Sequence, residues 1–198
     1  MNIAILGGSF DPPHRGHVII AKRLLKLYHF DEVWFIPCYQ HPFSKSLSNP
    51  DKRFQMTKYL ENGSIKVSAF EIRKKSISYT IDTLNSLTAQ HPNDRFSWII
   101  GTDQTDNFTK WKNWQEIINN FRLVVVPRTN FRKAVEKLKE IANKVTVPEN
   151  IVLVDKKKFR PIYISSTLIR KRVKEKKPIS NFVPKKVETY IIQNNLYI

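Results

Sequence analysis

A single cysteine, Cys38, leaves this chain unable to close an internal disulfide. Nowhere does it approach the roughly 18–20 uninterrupted apolar residues that a membrane-spanning helix requires. Its N-terminus opens on a strand-like run, Asn2–Leu6, without the basic, apolar and small-residue order of a signal peptide. These absences argue against disulfide-stapled and membrane-embedded classes, and a reducing cytoplasm is the expected location. The glycine-bearing turn after the first strand is followed by no Gly-Lys-Ser/Thr, so it is not a P-loop, nor does it spell G-x-G-x-x-G. No internal repeat, low-complexity tract or convincing linker interrupts the 198 residues, so one domain over 1–198 is expected.

Acidic residues are scarce. Seventeen Asp and Glu face 34 Lys and Arg, a net charge of +17. Much of the excess falls late, in Lys156–Lys158 and from Arg170 to Lys177. Such a field suits nucleic acid, acidic lipid or a small polyanion. Charge runs on helices are usually solvated faces, and no paired aromatic RNA-binding motif accompanies these. Nucleic acid and membrane are therefore not the expected partners, while a polyanionic nucleotide gains from the same field. With 41% hydrophobic residues the chain is rich enough to fold around a core.

Short β-rich runs alternate with helical patterns. Strands are expected at Asn2–Leu6, Glu32–Pro37, Ile65–Phe70, Phe96–Ile100, Leu123–Pro127 and Ile151–Val154. Helices are expected at Val18–Tyr28, from Asn49 or Asp51 to Leu60, and at Thr80–Ala89, Trp114–Asn119 and Phe131–Ala142. Two more, around Thr167–Lys177 and Pro184–Asn194, form a C-terminal helical extension over about 165–198. The alternation predicts an α/β fold: a Rossmann-like, doubly wound parallel sheet with helices on both faces. Ligands of such sheets bind beyond the carboxyl ends of the strands. The most distinctive segments lie there.

The first is Gly7-Gly8-Ser9-Phe10-Asp11-Pro12-Pro13-His14-Arg15-Gly16-His17, at the handover from strand to helix. A helix start offers unpaired N–H groups and a positive dipole end, which suit phosphate. A helix beginning near Pro12-Pro13 would put His14 and His17, three apart, on one face. Two imidazoles beside an anion site point to chemistry on a phosphate. The second segment is Ile164-Ser165-Ser166-Thr167-Leu168-Ile169-Arg170. Its hydroxyls can cap a helix, its first amides can hold a phosphate, and Arg170 lies one turn beyond Thr167.

Together these segments resemble the paired nucleotide-binding motifs of the nucleotidylyltransferase superfamily with H-x-G-H. Three further stretches, Ser78–Leu84, Ile99–Asp103 and Phe108–Trp111, with the terminal Tyr190 to Tyr197, are similar to the bacterial nicotinate (nicotinamide) mononucleotide adenylyltransferases. The resemblance implies transfer of AMP from ATP to nicotinate mononucleotide, with pyrophosphate released and magnesium carried by ATP rather than by a protein metal site. It implies His14, His17 and Arg170 as the catalytic set. ATP would be held by Gly7, Gly8, Ser9, Phe10, His14, Gly16, His17, Gly101, Asp103, Ile164, Ser165, Ser166, Thr167 and Arg170. Gly16 would leave room for the nucleoside, and Asp103 would take ribose hydroxyls. The mononucleotide would meet Phe10, Asp11, Lys45, Tyr79, Thr80, Trp111 and Arg128, with Trp111 stacked on the pyridine. Trp34 and Trp98 are expected in the core, and Cys38 is expected to be inert.

Two segments depart from the family pattern, Gln40–Lys45 after the second strand and Pro127–Asn130 after the fifth. Both border the expected mononucleotide site, so the nicotinate and nicotinamide forms stay open as substrates. Another small nucleotidylyltransferase, and a basic RNA-binding protein on the same fold, are the remaining alternatives.

Overall fold

A computed structural model describes residues 1–43, 46–128 and 131–198. In chain order the elements are β1 (Asn2–Gly8), α1 (Arg15–Tyr28), β2 (Glu32–Pro37), α2 (Pro50–Lys58), β3 (Ile65–Val67), α3 (Phe70–Lys74) and α4 (Thr80–Gln90). There follow β4 (Arg95–Gly101), α5 (Thr105–Phe108), α6 (Trp114–Asn120), β5 (Arg122–Val126), α7 (Phe131–Ala142), β6 (Ile151–Leu153), α8 (Ser166–Lys174) and α9 (Lys185–Gln193). Among the described residues the strands form one sheet in the order β3-β2-β1-β4-β5-β6, and every pairing is parallel. This is the expected doubly wound sheet.

Alternate residues of the central strands feed opposite cores, as the two-residue period of a strand requires. Ala4, Val33, Phe35, Ile99, Val124 and Val126 join a core under α1, α2, α8 and α9, which contribute Leu24, Met56, Ile169 and Val187. Ile3, Ile5, Ile36, Trp98, Ile100, Leu123 and Val125 face the other way, toward Leu84 of α4, Ile117 of α6 and Leu138 of α7. Burial on both faces accounts for the continuous apolar runs in the central strands. The C-terminal helices share the first of these cores with the sheet. Among the described residues, no helix is long and apolar enough to cross a membrane.

Several boundaries shift for local reasons. The third strand stops at Val67 instead of running to Phe70, because the Ser68 hydroxyl accepts the Phe70 amide at 3.2 Å and the chain turns into α3. The first helix starts at Arg15, three residues before the expected Val18 and two after Pro13, with His14 as its N-cap. Asn49 caps α2 as expected, its side chain accepting from Asp51 and Lys52 at 2.9 and 3.3 Å. The short helices α3 and α5 have too few residues to show a helical period in sequence.

The chain leaves β1 toward β2 on one side and returns to β4 on the other. The carboxyl ends of β1 and β4 are therefore the topological switch point, where such sheets bind ligands.

Candidate active site

At the end of β1 the chain has room for no side chain at Gly7, since a Cβ there would collide with the Trp98 indole of β4. Gly8 carries no such constraint, its nearest neighbour being the Phe10 ring at 3.7 Å. Phe10 then takes a left-handed backbone, φ 49°, and turns its ring inward against Phe35 and His17 at centroid distances of 5.5 and 4.7 Å. Phe10 was expected to touch both substrates. Its ring is buried core instead, and it supports His17 from behind.

His14 and His17 do not project from successive helical turns as a start at Pro12-Pro13 would require. His14 caps α1 with an extended backbone, and the His17 Nδ1 accepts the His14 amide at 3.1 Å. That bond places the lone pair of neutral His17 on Nδ1 and its proton on Nε2, leaving Nε2–H as the donor. The two rings stack, 3.7 Å between centroids and 17° between planes. Burial, then the Arg128 charge, lowers the His14 pKa from 6.5 to about 3. Burial, then His14 and Arg128, also holds His17 well below its ordinary value. Without an anion nearby, both rings are neutral at physiological pH.

Gly16 was expected to make space for the nucleoside. The space is filled by His14: a Cβ on Gly16 would lie 2.8 Å from His14 Nδ1 and 3.2 Å from Ile162 Cγ2. The α1 start is also less open to an anion than expected, because the Arg15 amide donates to the Phe182 carbonyl at 2.8 Å.

The second motif docks on the first through bonds that span 154 and 159 positions of the chain. Ser165 caps α8, its hydroxyl accepting the Leu168 amide at 3.2 Å. Ser166 Oγ donates to the Pro12 carbonyl at 2.8 Å, and Arg170 Nη1 donates to the Asp11 carbonyl at 2.6 Å. Arg170 Nη2 also reaches Thr167 Oγ1, one turn back, at 3.4 Å. Ser166 and Thr167 sit in the first turn of α8, whose amides lack intrahelical partners. Ile164, just before the cap, packs against the first core.

Asp11 was expected to meet the mononucleotide. Its buried carboxylate is committed elsewhere: Tyr197 donates its hydroxyl to Oδ1 at 2.6 Å and Ser48 its amide to Oδ2 at 3.1 Å. The Ser9 carbonyl is likewise engaged, accepting from Arg53 Nη1 at 2.8 Å. Sequence reasoning overlooked Arg53. It is fully buried and donates also to the carbonyls of Ser48, Cys38 and Tyr39 at 2.7–2.8 Å, joining the turn after β1 to the segment after β2. Its register with Met56, Thr57 and Leu60 on one helical face was the signal that it points inward. Cys38 is buried against it, and desolvation raises the thiol pKa, which disfavours the thiolate.

At the neighbouring strand ends, Asp103 and Arg128 form an ion pair at 3.3 Å, and the Arg128 amide donates to Thr102 Oγ1 at 2.9 Å. Gly101 permits this, since a Cβ there would clash with the side chains of both Asp103 and Arg128. Tyr79 caps α4 and Thr80 is its first residue. Lys112 lies over the Tyr79 ring, 5.0 Å from its centroid, so the strip at Trp111 and Lys112 adjoins the α4 start. Trp111 packs on Phe108 with 5.2 Å between centroids. Trp98 is core as expected, whereas Trp34 is half-buried and donates to Glu32 at 2.6 Å. Lys45 lies outside the described residues, as do Thr129 and Asn130.

Two buried side-chain atoms among the described residues have no hydrogen-bond partner, His14 Nδ1 and Trp111 Nε1. Buried polar atoms are ordinarily paired, and each exception calls for an explanation, a catalytic role among them. Both belong to the expected site. A cavity of about 610 Å³ at the β3 edge, between Trp34, Lys66, Phe70 and His91, contains none of these residues.

A parallel sheet that gathers two histidines, an arginine and the first turn of α8 at its switch point is what a nucleotidyltransferase needs, and the cytidylyltransferase-like family model matches residues 5–172. The chain is 34% identical over 199 residues to the nicotinate-nucleotide adenylyltransferase of Bacillus subtilis, covering 98% of this chain and 97% of that one. It is 34% identical over 200 residues to the probable nicotinate-nucleotide adenylyltransferase of Methylacidiphilum infernorum, covering 99% and 92%. The chain belongs to the nicotinate-nucleotide adenylyltransferase family. Its fold is that of the Plasmodium falciparum nicotinic acid mononucleotide adenylyltransferase complexed with NaAD, with a TM-score of 0.76 at 22% identity, covering 99% of this chain and 97% of that one.

Proposed function

We propose that this chain transfers the AMP unit of ATP to nicotinate mononucleotide, giving the deamido dinucleotide and pyrophosphate, within one domain spanning residues 1–198. The observation that carries the reading is the docking of the two motifs: Arg170 on the Asp11 carbonyl and Ser166 on the Pro12 carbonyl. These bonds bring a guanidinium, the first turn of α8 and the histidine pair to one rim of the sheet.

An oxygen of the mononucleotide phosphate attacks the α-phosphorus of ATP, and the bond from that phosphorus to the oxygen bridging to the β-phosphorus breaks. The nucleophile is already an anion near neutral pH, so no general base is needed. The demands are alignment of two repelling anions and neutralisation of the departing pyrophosphate. His17 Nε2–H and His14 donate to the reacting phosphates. Arg170, with the amides of Ser166 and Thr167, holds the β- and γ-phosphates. Asp103 takes ribose hydroxyls, while Tyr79, Thr80, Trp111 and Arg128 line the mononucleotide side. Magnesium arrives with ATP as part of the substrate and offsets phosphate charge.

Pyrophosphate release, measured with ATP and either nicotinate or nicotinamide mononucleotide, tests the reading. Release with the nicotinate form above the nicotinamide form supports it. A reversed preference reassigns the substrate, and release with neither overturns the assignment.

A further inference from the structure

Arg170 and Tyr197 bond different groups of the same residue. Arg170 Nη1 bonds the Asp11 main-chain carbonyl at 2.6 Å, while the Tyr197 hydroxyl bonds Asp11 Oδ1 at 2.6 Å. The tail that delivers Tyr197 is firmly seated. Past the end of α9, the Leu196 amide donates to the Ile191 carbonyl at 3.0 Å, and the Leu196 side chain is buried in the first core. Burial and the Asp11 charge raise the Tyr197 pKa, so its hydroxyl keeps its proton and remains a donor. The Arg170 charge is close enough to act on that hydroxyl as well.

We infer that Tyr197 is a positioning residue for adenylyl transfer: by satisfying the Asp11 carboxylate, it keeps the Arg170 guanidinium on the Asp11 carbonyl, with its remaining donors available to ATP phosphates. This rests on the proposed role of Arg170. The physical argument is competition for a cation. A buried carboxylate with its charge unmet is costly, and charge-assisted bonds are the strongest remedy. Remove the Tyr197 hydroxyl and Asp11 Oδ1 loses its donor, with the guanidinium already bonded to the same residue's carbonyl. Arg170 then swings to the carboxylate, and the β- and γ-phosphates lose their clamp. The C-terminal tail thus reaches the catalytic rim through one bond.

Tyr197→Phe tests this, with KM measured separately for ATP and mononucleotide and the melting temperature as a folding control. The expected result is a rise of about tenfold in KM for ATP, the scale of one charge-assisted bond, with KM for the mononucleotide nearly unchanged. Adding Asp11→Asn removes the competing charge and restores the ATP value toward that of Asp11→Asn alone. A purely structural role predicts that the double variant is worse than either single. Equal changes in both KM values, no change for ATP, or no recovery in the double variant would overturn the inference. Should Tyr197→Phe fail to fold, Asp11→Asn is compared with Asp11→Asn/Tyr197→Phe, and any difference in KM for ATP counts against it. Arg170→Ala run alongside separates the two claims: if it leaves KM for ATP unmoved, the role of Arg170 itself is wrong.

Discussion

His14 and His17 stack ring on ring, 3.7 Å apart, with the His17 Nδ1 tied to the His14 amide at 3.1 Å. The tie orients one imidazole, and the stack passes that orientation to the other. Phe10 and Phe35 complete the wall behind them. The pair is thus held in place before any phosphate arrives, which is what electrostatic stabilisation requires.

Turnover should depend steeply on both rings. His17→Ala or His14→Ala is expected to slow pyrophosphate release by roughly 10²–10⁴-fold, the usual scale for one positioned group. Steady-state kinetics at saturating substrates measures it. Full turnover in His17→Ala would remove the pair from the reaction.

The pair also makes the ligand-free protein acid-sensitive. Folding lowers the His14 pKa from 6.5 to about 3, and lowers that of His17 in the same direction. Between those values the unfolded chain takes up a proton on His14 that the folded chain refuses, and His17 acts in the same direction. The contribution to stability is therefore complete above about pH 6.5 and is lost as pH falls toward 3. The slope from His14 is about 1.4 kcal/mol per pH unit. Urea unfolding of the ligand-free protein at pH 7 and pH 5.5 should show the loss, and His14→Gln should lose less. An equal loss in the variant would mean that His14 is not the sensor.

Gly16→Ala should harm activity more than its size suggests. Alanine favours a helix over glycine by about 1 kcal/mol, yet its Cβ would lie 2.8 Å from His14 Nδ1. His14 must move, and a displacement near 1 Å at a reacting centre costs about 10²-fold. A kcat drop on that scale with a nearly unchanged melting temperature is the expected result. Unimpaired kcat would show that the ring position is not critical.

Arg53 should prove a stability residue that acts on the site from beneath. Its replacement by Met strands the carbonyls of Ser9, Cys38, Tyr39 and Ser48. A loss of about 3–5 kcal/mol is expected from urea unfolding, the scale for breaking a buried charged network. Arg53→Lys should recover part of it, since a single ammonium cannot span the same fork of acceptors. A loss within about 1 kcal/mol would refute this.

Much of the fold was legible. The Gly7–His17 and Ile164–Arg170 strings name their own chemistry, and strands buried on both faces announce themselves as continuous apolar runs. The protein neighbours of the Asp11 and Phe10 side chains and of Gly16 were not legible, because a motif indicates that a residue matters without saying what it touches. Each lies within hydrogen-bonding or contact range of the substrate-facing groups, yet each turns to a protein neighbour.

The local pattern alone determined the α/β alternation, the strand ends that carry the motifs and the family, because periodicity and turn residues act over a few positions. Only the tertiary structure decided that Arg170 meets Asp11 across 159 positions and Tyr197 meets it across 186. The reason is physical: a buried carboxylate and a guanidinium take whichever partners the packed sheet brings within 3 Å, and chain distance has no part in that choice.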